Sequence, residues 1–290
     1  MEIKAIVDCK TLLGEGPLWD VAEQKIYWID SLGDRIFRAD ENGDGVESWS
    51  VPQHIGSMAL REKGGAVLSL AEGFYLFDFE TGKAEAIETI AHKGPTVRMN
   101  DGKVDRRGRF VAGSMDTTEE APLGCIYSLG TDRKVTQIDD NITVSNGPCW
   151  SPDHSIFYFA DSRSRAIWAY DYDLETGAAT NKRKFCAFGP EDGLPDGATV
   201  DAEGCVWSAG VYKSKIHRFD PSGKRMLTVD FPTVCVASVM FGGANLDRLY
   251  VTTMLRAPVP GVVETGPLAG SLFVIDGLGV KGLPEHRYGG

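Results

Sequence analysis

Ile167-Trp168-Ala169-Tyr170-Asp171 is a short apolar, strand-forming run that stops at an aspartate, and Glu175-Thr176-Gly177 follows it as a turn. The same figure recurs along the chain. Its counterparts are Ile36-Phe37-Arg38-Ala39-Asp40, Phe74-Tyr75-Leu76-Phe77-Asp78, Ile126-Tyr127-Ser128-Leu129, Ile216-His217-Arg218-Phe219-Asp220 and Leu272-Phe273-Val274-Ile275-Asp276. About ten residues upstream of each lies another strand candidate, at 25–30, 66–70, 109–115, 156–162, 205–211 and 249–254. Upstream again, a shorter apolar run ends near Trp19, Leu60, Val104, Trp150, Val200 and Phe241, markers that fall 41 to 50 residues apart. A looser fourth strand follows each unit, as at 84–90 and 226–231. Three or four strands per period, six times over, is the pattern of propeller blades. No segment carries a sustained 3.6-residue apolar period with helix caps, which excludes a sheet built with crossover helices. The expected fold is therefore all-β, a six-bladed β-propeller occupying residues 1–290 as a single domain. The strand at 3–7 has no blade of its own and is expected to complete the last one, covering an exposed edge.

Composition agrees with many short strands joined by turns: 34 glycines and 14 prolines are spread along 290 residues. A net charge of -11 argues against a nucleic-acid partner, because phosphate contacts need clustered Lys and Arg. No apolar run approaches the roughly 20 residues of a membrane-spanning helix, so no membrane partner is expected. Met1-Glu2-Ile3-Lys4 does not open a secretory signal. The six cysteines lie far apart without a CxxC pair and read as reduced core residues of a cytoplasmic protein.

Four residues before each marker stand Glu15, Gly56, Asn100, Asn146, Asp196 and Ala237. In a propeller the first strand of each blade lines the central channel, so four of the six equivalent positions direct side-chain oxygens toward one axis. Asn, Asp and Glu also cap turns, but four of them in one repeat position favours a shared purpose. Two carboxylates and two amides converging on a point are costly in a dry core. A divalent cation takes oxygen ligands and offsets the repulsion. The pattern thus predicts a central metal site. The glycines just beyond (Gly16, Gly102, Gly147, Gly197) read as tight-turn residues at the channel mouth. Arg98 belongs at the same mouth, where its planar fork of donors suits hydroxyl or carboxylate oxygens, although a surface arginine is the alternative. Lys103 reads as a solvated lysine and Trp150 as packing. A Ser-His-Asp hydrolase is excluded, since there is no GxSxG elbow and the five histidines fall in turns or outer strands.

The segments Gly14-Glu15-Gly16-Pro17-Leu18-Trp19, Arg98-Met99-Asn100-Asp101-Gly102-Lys103-Val104-Asp105, Ser145-Asn146-Gly147-Pro148 and Leu194-Pro195-Asp196-Gly197 resemble the family of regucalcin (senescence marker protein), gluconolactonases and related aldonolactonases. The resemblance covers essentially the whole chain and includes 151–162. It implies metal ligands at Glu15, Asn146 and Asp196 and substrate contacts at Arg98 and Asn100. The ion is one divalent metal, which across the family is calcium, zinc, manganese, magnesium or iron. An acidic substrate contact follows the strand ending at Met115 in that family. Here the run is Asp116-Thr117-Thr118-Glu119-Glu120, with Asp116 the nearest candidate and Glu119 open. The implied activity is hydrolysis of a small-molecule sugar lactone. Asp196 is read as its general base, and Arg98, Asn100 and Asp116 as the groups that orient the sugar. Organophosphate hydrolysis on the same scaffold and a non-enzymatic calcium-binding propeller are the alternatives. Selectivity is expected from loops at 116–122, 162–165, 212–215 and 255–267, whose arginines and lysines hint at an anionic group on the substrate.

Overall fold

The computed structural model describes residues 1–258, 261–262 and 266–290. Runs of β-branched and aromatic residues between Gly, Asp and Pro turns form twenty-four strands among these residues. In chain order they are β1 (Glu2–Val7), β2 (Gly14–Asp20), β3 (Lys25–Asp30), β4 (Arg35–Asp40), β5 (Glu47–Ser50), β6 (Ile55–Leu60), β7 (Ala66–Leu70) and β8 (Gly73–Asp78). Next come β9 (Lys83–Thr89), β10 (Val97–Val104), β11 (Phe110–Asp116), β12 (Gly124–Leu129), β13 (Val135–Ile142), β14 (Ser145–Trp150), β15 (Ile156–Asp161) and β16 (Ala166–Asp173). The last eight are β17 (Ala178–Ala187), β18 (Leu194–Val200), β19 (Val206–Val211), β20 (Lys215–Phe219), β21 (Arg225–Asp230), β22 (Val236–Gly242), β23 (Arg248–Thr253) and β24 (Leu272–Asp276). They make six four-stranded antiparallel sheets, the six blades of a β-propeller.

Two compact units divide the sheets. One comprises Met1–Ser48 with Phe188–Glu285, the other Trp49–Ala187 with His286–Gly290. In the first unit the inner strand β22 packs against both β2 and β18. Its last sheet has the order β1-β24-β23-β22, so β1 does complete that blade, with Ile3 opposite Ile275. Trp207, Phe231, Phe241 and Phe273 fill the space between its sheets. In the second unit β10 packs against β6 and β14. Phe74, Phe110 and Tyr127 fill one gap between sheets, and Phe157, Tyr170 and Tyr172 fill the next. Strand positions alternate between these cores and the facing sheet. The outermost strands instead read as charged and half-exposed, as in Lys83-Ala84-Glu85-Ala86-Ile87-Glu88-Thr89, which blunts a free edge.

The Asp-x-x-Gly turns do more than reverse the chain. Asp105 is fully buried; one oxygen accepts from the backbone N–H groups of Arg107 and Arg109, the other from Arg109 Nε and Tyr172 Oη at 2.7 Å each. Asp201 repeats the scheme with the N–H groups of Glu203 and Cys205, then Trp207 Nε1 at 2.9 Å and Arg218 Nε at 2.8 Å. Each buried carboxylate is thereby ion-paired and hydrogen-bonded, the condition for burying a charge. Segment 286–290, to which the sequence assigned no element, is also held. Tyr288 is fully buried, donates its N–H to Leu60 O at 2.8 Å and its hydroxyl to Gly130 O at 2.9 Å.

Candidate active site

Every inner strand carries an irregularity at or just after the predicted oxygen position. The register shifts lie between Glu15 and Leu18, Met99 and Gly102, Asn146 and Cys149, and Pro195 and Ala198. In β6 and β22 they lie between Ile55 and Ser57 and between Val236 and Ser238. A β-bulge adds one residue to its strand and re-aims the neighbouring side chain. Pro17 and Pro148 fall inside two of the bulges, where a residue without an N–H loses nothing from the ladder. The four polar positions therefore all adjoin a bulge, Glu15 and Asn146 as the last paired residue before it and Asn100 and Asp196 as the first residue within it.

The glycines beside them serve two purposes rather than the one expected. Gly16 and Gly147 have φ of 48° and 55°, as tight turns require. Gly102 and Gly197 do not; they are small because neighbouring strands touch there. A Cβ on Gly102 would lie 2.6 Å from Ser57 Oγ, and one on Gly197 would lie 2.4 Å from Ser238 Cβ. Gly56, one of the two positions without an oxygen, follows the same logic, since its Cβ would meet Asn100 O at 2.5 Å.

In the second unit the sequence-predicted residues form a continuous polar network. Arg98 is 9% exposed, so it is not a surface arginine. Its Nη1 donates to Met99 O and to Asn100 Oδ1, both at 2.8 Å. Asn100 Nδ2 donates to Ser145 O at 2.7 Å and to Asn146 Oδ1 at 3.0 Å. Asn146 Nδ2 donates to Ser162 Oγ at 2.9 Å. Two hydroxyls, Ser57 Oγ and Ser69 Oγ, donate to Asn100 O at 3.0 Å each and fix its backbone. Asp101 was read only as part of an Asp-Gly pair, yet it joins two strands. Its Oδ1 accepts from Gly102 N and its Oδ2 from Gly147 N, both at 2.8 Å. No sequence signal would have found that role, which depends on the packing of β10 against β14 from the neighbouring sheet.

Asp116 and Glu119, the two acidic candidates, differ in surroundings. Asp116 is buried and its carboxylate serves its own loop, accepting from Thr118 Oγ1 at 2.6 Å and from the N–H groups of Thr118, Glu120 and Ala121. Burial raises its pKa, but these hydrogen bonds and one from Thr96 outweigh it and hold the carboxyl well below the usual carboxylate range. Glu119 sits in the left-handed region at φ 57° with its side chain 14% exposed, and Arg163 Nη1 is 3.9 Å away. Burial pushes its carboxyl up, against the pull of the Arg163 and Arg98 guanidinium charges. Of the two, Glu119 is the carboxylate with an arginine-lined outlook. Among the four selectivity loops, positions 259–260 and 263–265 lie outside the described residues.

In the first unit Glu15 and Asp196 occupy the matching positions of β2 and β18, the two strands that flank β22. Both are buried, at 9% and 5% exposure, and Glu15 Oε2 accepts from Gly16 N at 3.2 Å. Carboxylate oxygens of this kind suit a hard divalent ion. A separate trio, Asp201, Glu203 and Cys205, also brings donor atoms within 4.8 Å of one another. Arg218 already occupies it, with Nη2 at 2.5 Å from Glu203 Oε2, and it reads as an ion pair. A cleft of about 590 Å³ at the far end of β10, lined by Arg107, Arg109, Lys134 and Glu175, contains none of these residues.

The family described as SMP-30/gluconolactonase/LRE-like region matches residues 13–255. Regucalcin of Macaca fascicularis is 36% identical, with 100% of this chain and 99% of the relative aligned. Among solved structures, a luciferin-regenerating enzyme superposes with a TM-score of 0.92 at 29% identity, covering 99% of both chains. Regucalcin of Agrobacterium tumefaciens, a calcium-binding protein, gives a TM-score of 0.90 at 26% identity over 98% of this chain and 96% of its own.

Proposed function

The chain belongs to the SMP-30/gluconolactonase/LRE-like family, and from that membership we propose that it is a metal-dependent lactonase that opens a sugar lactone to the aldonic acid. The observation that carries this reading is the repeated placement of buried oxygen donors. Glu15, Asn146 and Asp196, all buried, and the half-buried Asn100 stand at one sequence offset beside or within the bulges of inner strands, and buried carboxylates of this kind need a cation. Glu15, Asn146 and Asp196 would hold one hard divalent ion, calcium being the ion named for the Agrobacterium relative. The ion supplies Lewis-acid polarisation of the lactone carbonyl and lowers the cost of deprotonating water at neutral pH.

The remaining work falls to side chains. A carboxylate oxygen of Asp196 accepts the proton of the attacking water, the bond between the carbonyl carbon and the ring oxygen breaks, and the ring oxygen leaves as a hydroxyl by taking up one proton. Asn100 holds the sugar through an amide whose position is fixed by Arg98, Ser145 and Asn146. Arg98 and Glu119 flank it as donor and acceptor for hydroxyl groups, a role for which Glu119 is better placed than Asp116. Orientation of this kind lowers the barrier by removing rotational freedom before reaction. Residues 1–290 act in it as one domain.

Asp196→Ala is expected to keep the circular dichroism of the parent and to lose hydrolysis of gluconolactone. Turnover at the parental rate in that variant would remove Asp196 from the mechanism. Treatment with a chelator should abolish activity and a divalent ion should restore it. The same donors would serve a calcium-binding propeller without catalysis, and the absence of turnover across a panel of aldonolactones would select that reading.

A further inference from the structure

The turn between β14 and β15 holds a residue out of step with its repeats. Four residues after the blade markers stand Gly64, Gly108 and Gly204, with φ of 83°, 77° and 83°. The corresponding residue after Trp150 is His154, at φ 59°, while the first and last blades carry Glu23 and Asn245 there and place Gln24 and Leu246 in the left-handed region instead. Left-handed backbone is natural for glycine and strained for a residue with a Cβ, so an imidazole at this place is a departure with a conformational cost. The ring is 8% exposed and stacks on Trp150, with centroids 6.1 Å apart and planes 21° from parallel.

Its Nε2 faces a second imidazole. His286 Nε2 lies 3.3 Å from His154 Nε2, across 132 residues of sequence. Both rings are held by their surroundings. His154 N donates to Ser151 O at 2.8 Å, closing its turn. His286 precedes the anchored Tyr288, and Gly289 N donates to Gly108 O at 3.1 Å.

Without an ion the two nitrogens share one long hydrogen bond, with either ring as donor according to its tautomer. Their separation also matches two ligand nitrogens on a tetrahedral ion, which bonds of about 2.0–2.1 Å set roughly 3.3–3.4 Å apart. We propose that His154 and His286 form a two-imidazole site for a transition-metal ion of the zinc or copper type, tying segment 286–290 to the turn between β14 and β15. Imidazole nitrogens select such ions over calcium and magnesium.

The charged groups that face His154 are Arg106, Asp105 and Asp153. Asp105 is taken by Arg109 and Tyr172, and Asp153 by Ser151 and Ser155. Neither carboxylate is a third ligand, so the two imidazoles would be the protein's contribution and solvent would fill the remaining positions on the ion. Burial, then the field of His286 and Arg106, lowers the His154 pKa to about 4, so the ring is neutral and a competent ligand at pH 7. The site is independent of the proposed lactonase centre, which uses oxygen donors and neither histidine.

The test uses the full chain, stripped with a chelator and titrated with Zn2+ or Cu2+. His154→Gly places there the residue that three of the other turns carry, and His286→Gln keeps a hydrogen-bonding side chain. The parent should take up one equivalent of Zn2+ that both variants lack, and its melting temperature should rise with Zn2+ while theirs does not. Its Cu2+ spin-resonance spectrum should show coupling to two imidazole nitrogens. Lactone turnover should be the same in all three proteins, so loss of one site is read separately from the other. Equal Zn2+ uptake in parent and His286→Gln, no uptake in the parent, or a copper spectrum without imidazole coupling overturns the proposal.

Discussion

Gly56→Ala places a methyl group where β6 already touches β10. The new Cβ would stand 2.5 Å from Asn100 O, 2.7 Å from its Cα and 2.8 Å from its carbonyl carbon, all backbone atoms without rotamers to escape into. Ordinary contact begins at 3.4 Å, so the two strands must separate by about 0.9 Å (3.4 less 2.5). Overpacking of this size typically costs about 1–3 kcal/mol. With an unfolding entropy of about 2.1 cal/mol/K per residue over the 290 residues, or about 0.6 kcal/mol/K, Tm should fall by about 2–5 °C. The shift also lengthens the 3.0 Å hydrogen bonds from Ser57 and Ser69 that fix Asn100. If Asn100 orients the sugar, displacement near 1 Å should lower kcat/KM on gluconolactone by about 100-fold. Calorimetry and steady-state hydrolysis on one preparation read both effects. Gly94→Ala is the control, because its Cβ would meet only the flexible Leu123 Cδ1 at 3.3 Å, and both quantities should stay near the parent. A Gly56→Ala protein with parental Tm and turnover would show that close approach of these strands does not set the position of Asn100.

Three other substitutions probe separate features. Arg218→Ala leaves the fully buried Asp201 carboxylate without its cation, and the urea midpoint should drop by an amount equivalent to about 3–5 kcal/mol; a change below about 1 kcal/mol would mean Trp207 and the turn N–H groups suffice. Asp116→Asn should flatten the acid limb of stability. The native carboxyl has a pKa depressed from 3.8, so the folded state binds fewer protons than the unfolded one; its contribution is present above that value and lost as pH falls below it. An unchanged slope in urea titrations between about pH 5 and pH 3, the range in which a free aspartate titrates, would contradict this. Glu119→Gln should raise KM more than it lowers kcat. The parental KM should itself climb as pH falls through the raised pKa of Glu119, a dependence missing from the variant if the ionised carboxylate accepts a sugar hydroxyl.

Much of the site was legible because repetition converts sequence position into spatial position. Once blade markers are aligned, Glu15, Asn100, Asn146 and Asp196 share an offset, and the bulges found in β2, β10, β14 and β18 follow it. The reading of Arg98 was weaker, because one arginine near a strand start carries no exposure signal; burial beside Asn100 decided it. The choice between Asp116 and Glu119 was closed to sequence for the same reason. Both lie in one acidic run, and only the folded loop shows Asp116 accepting the N–H groups of Thr118, Glu120 and Ala121.

Periodic alternation of apolar residues and the turn chemistry of Gly, Asp and Pro are local, and they set the strands and their six-fold recurrence, which leaves β1 over as a strand without a blade. Contacts between residues far apart in the chain depend on how sheets pack, which no local pattern encodes. That packing alone decided why Gly56, Gly102 and Gly197 lack side chains, how Asp101 links β10 to β14, and that His286 meets His154.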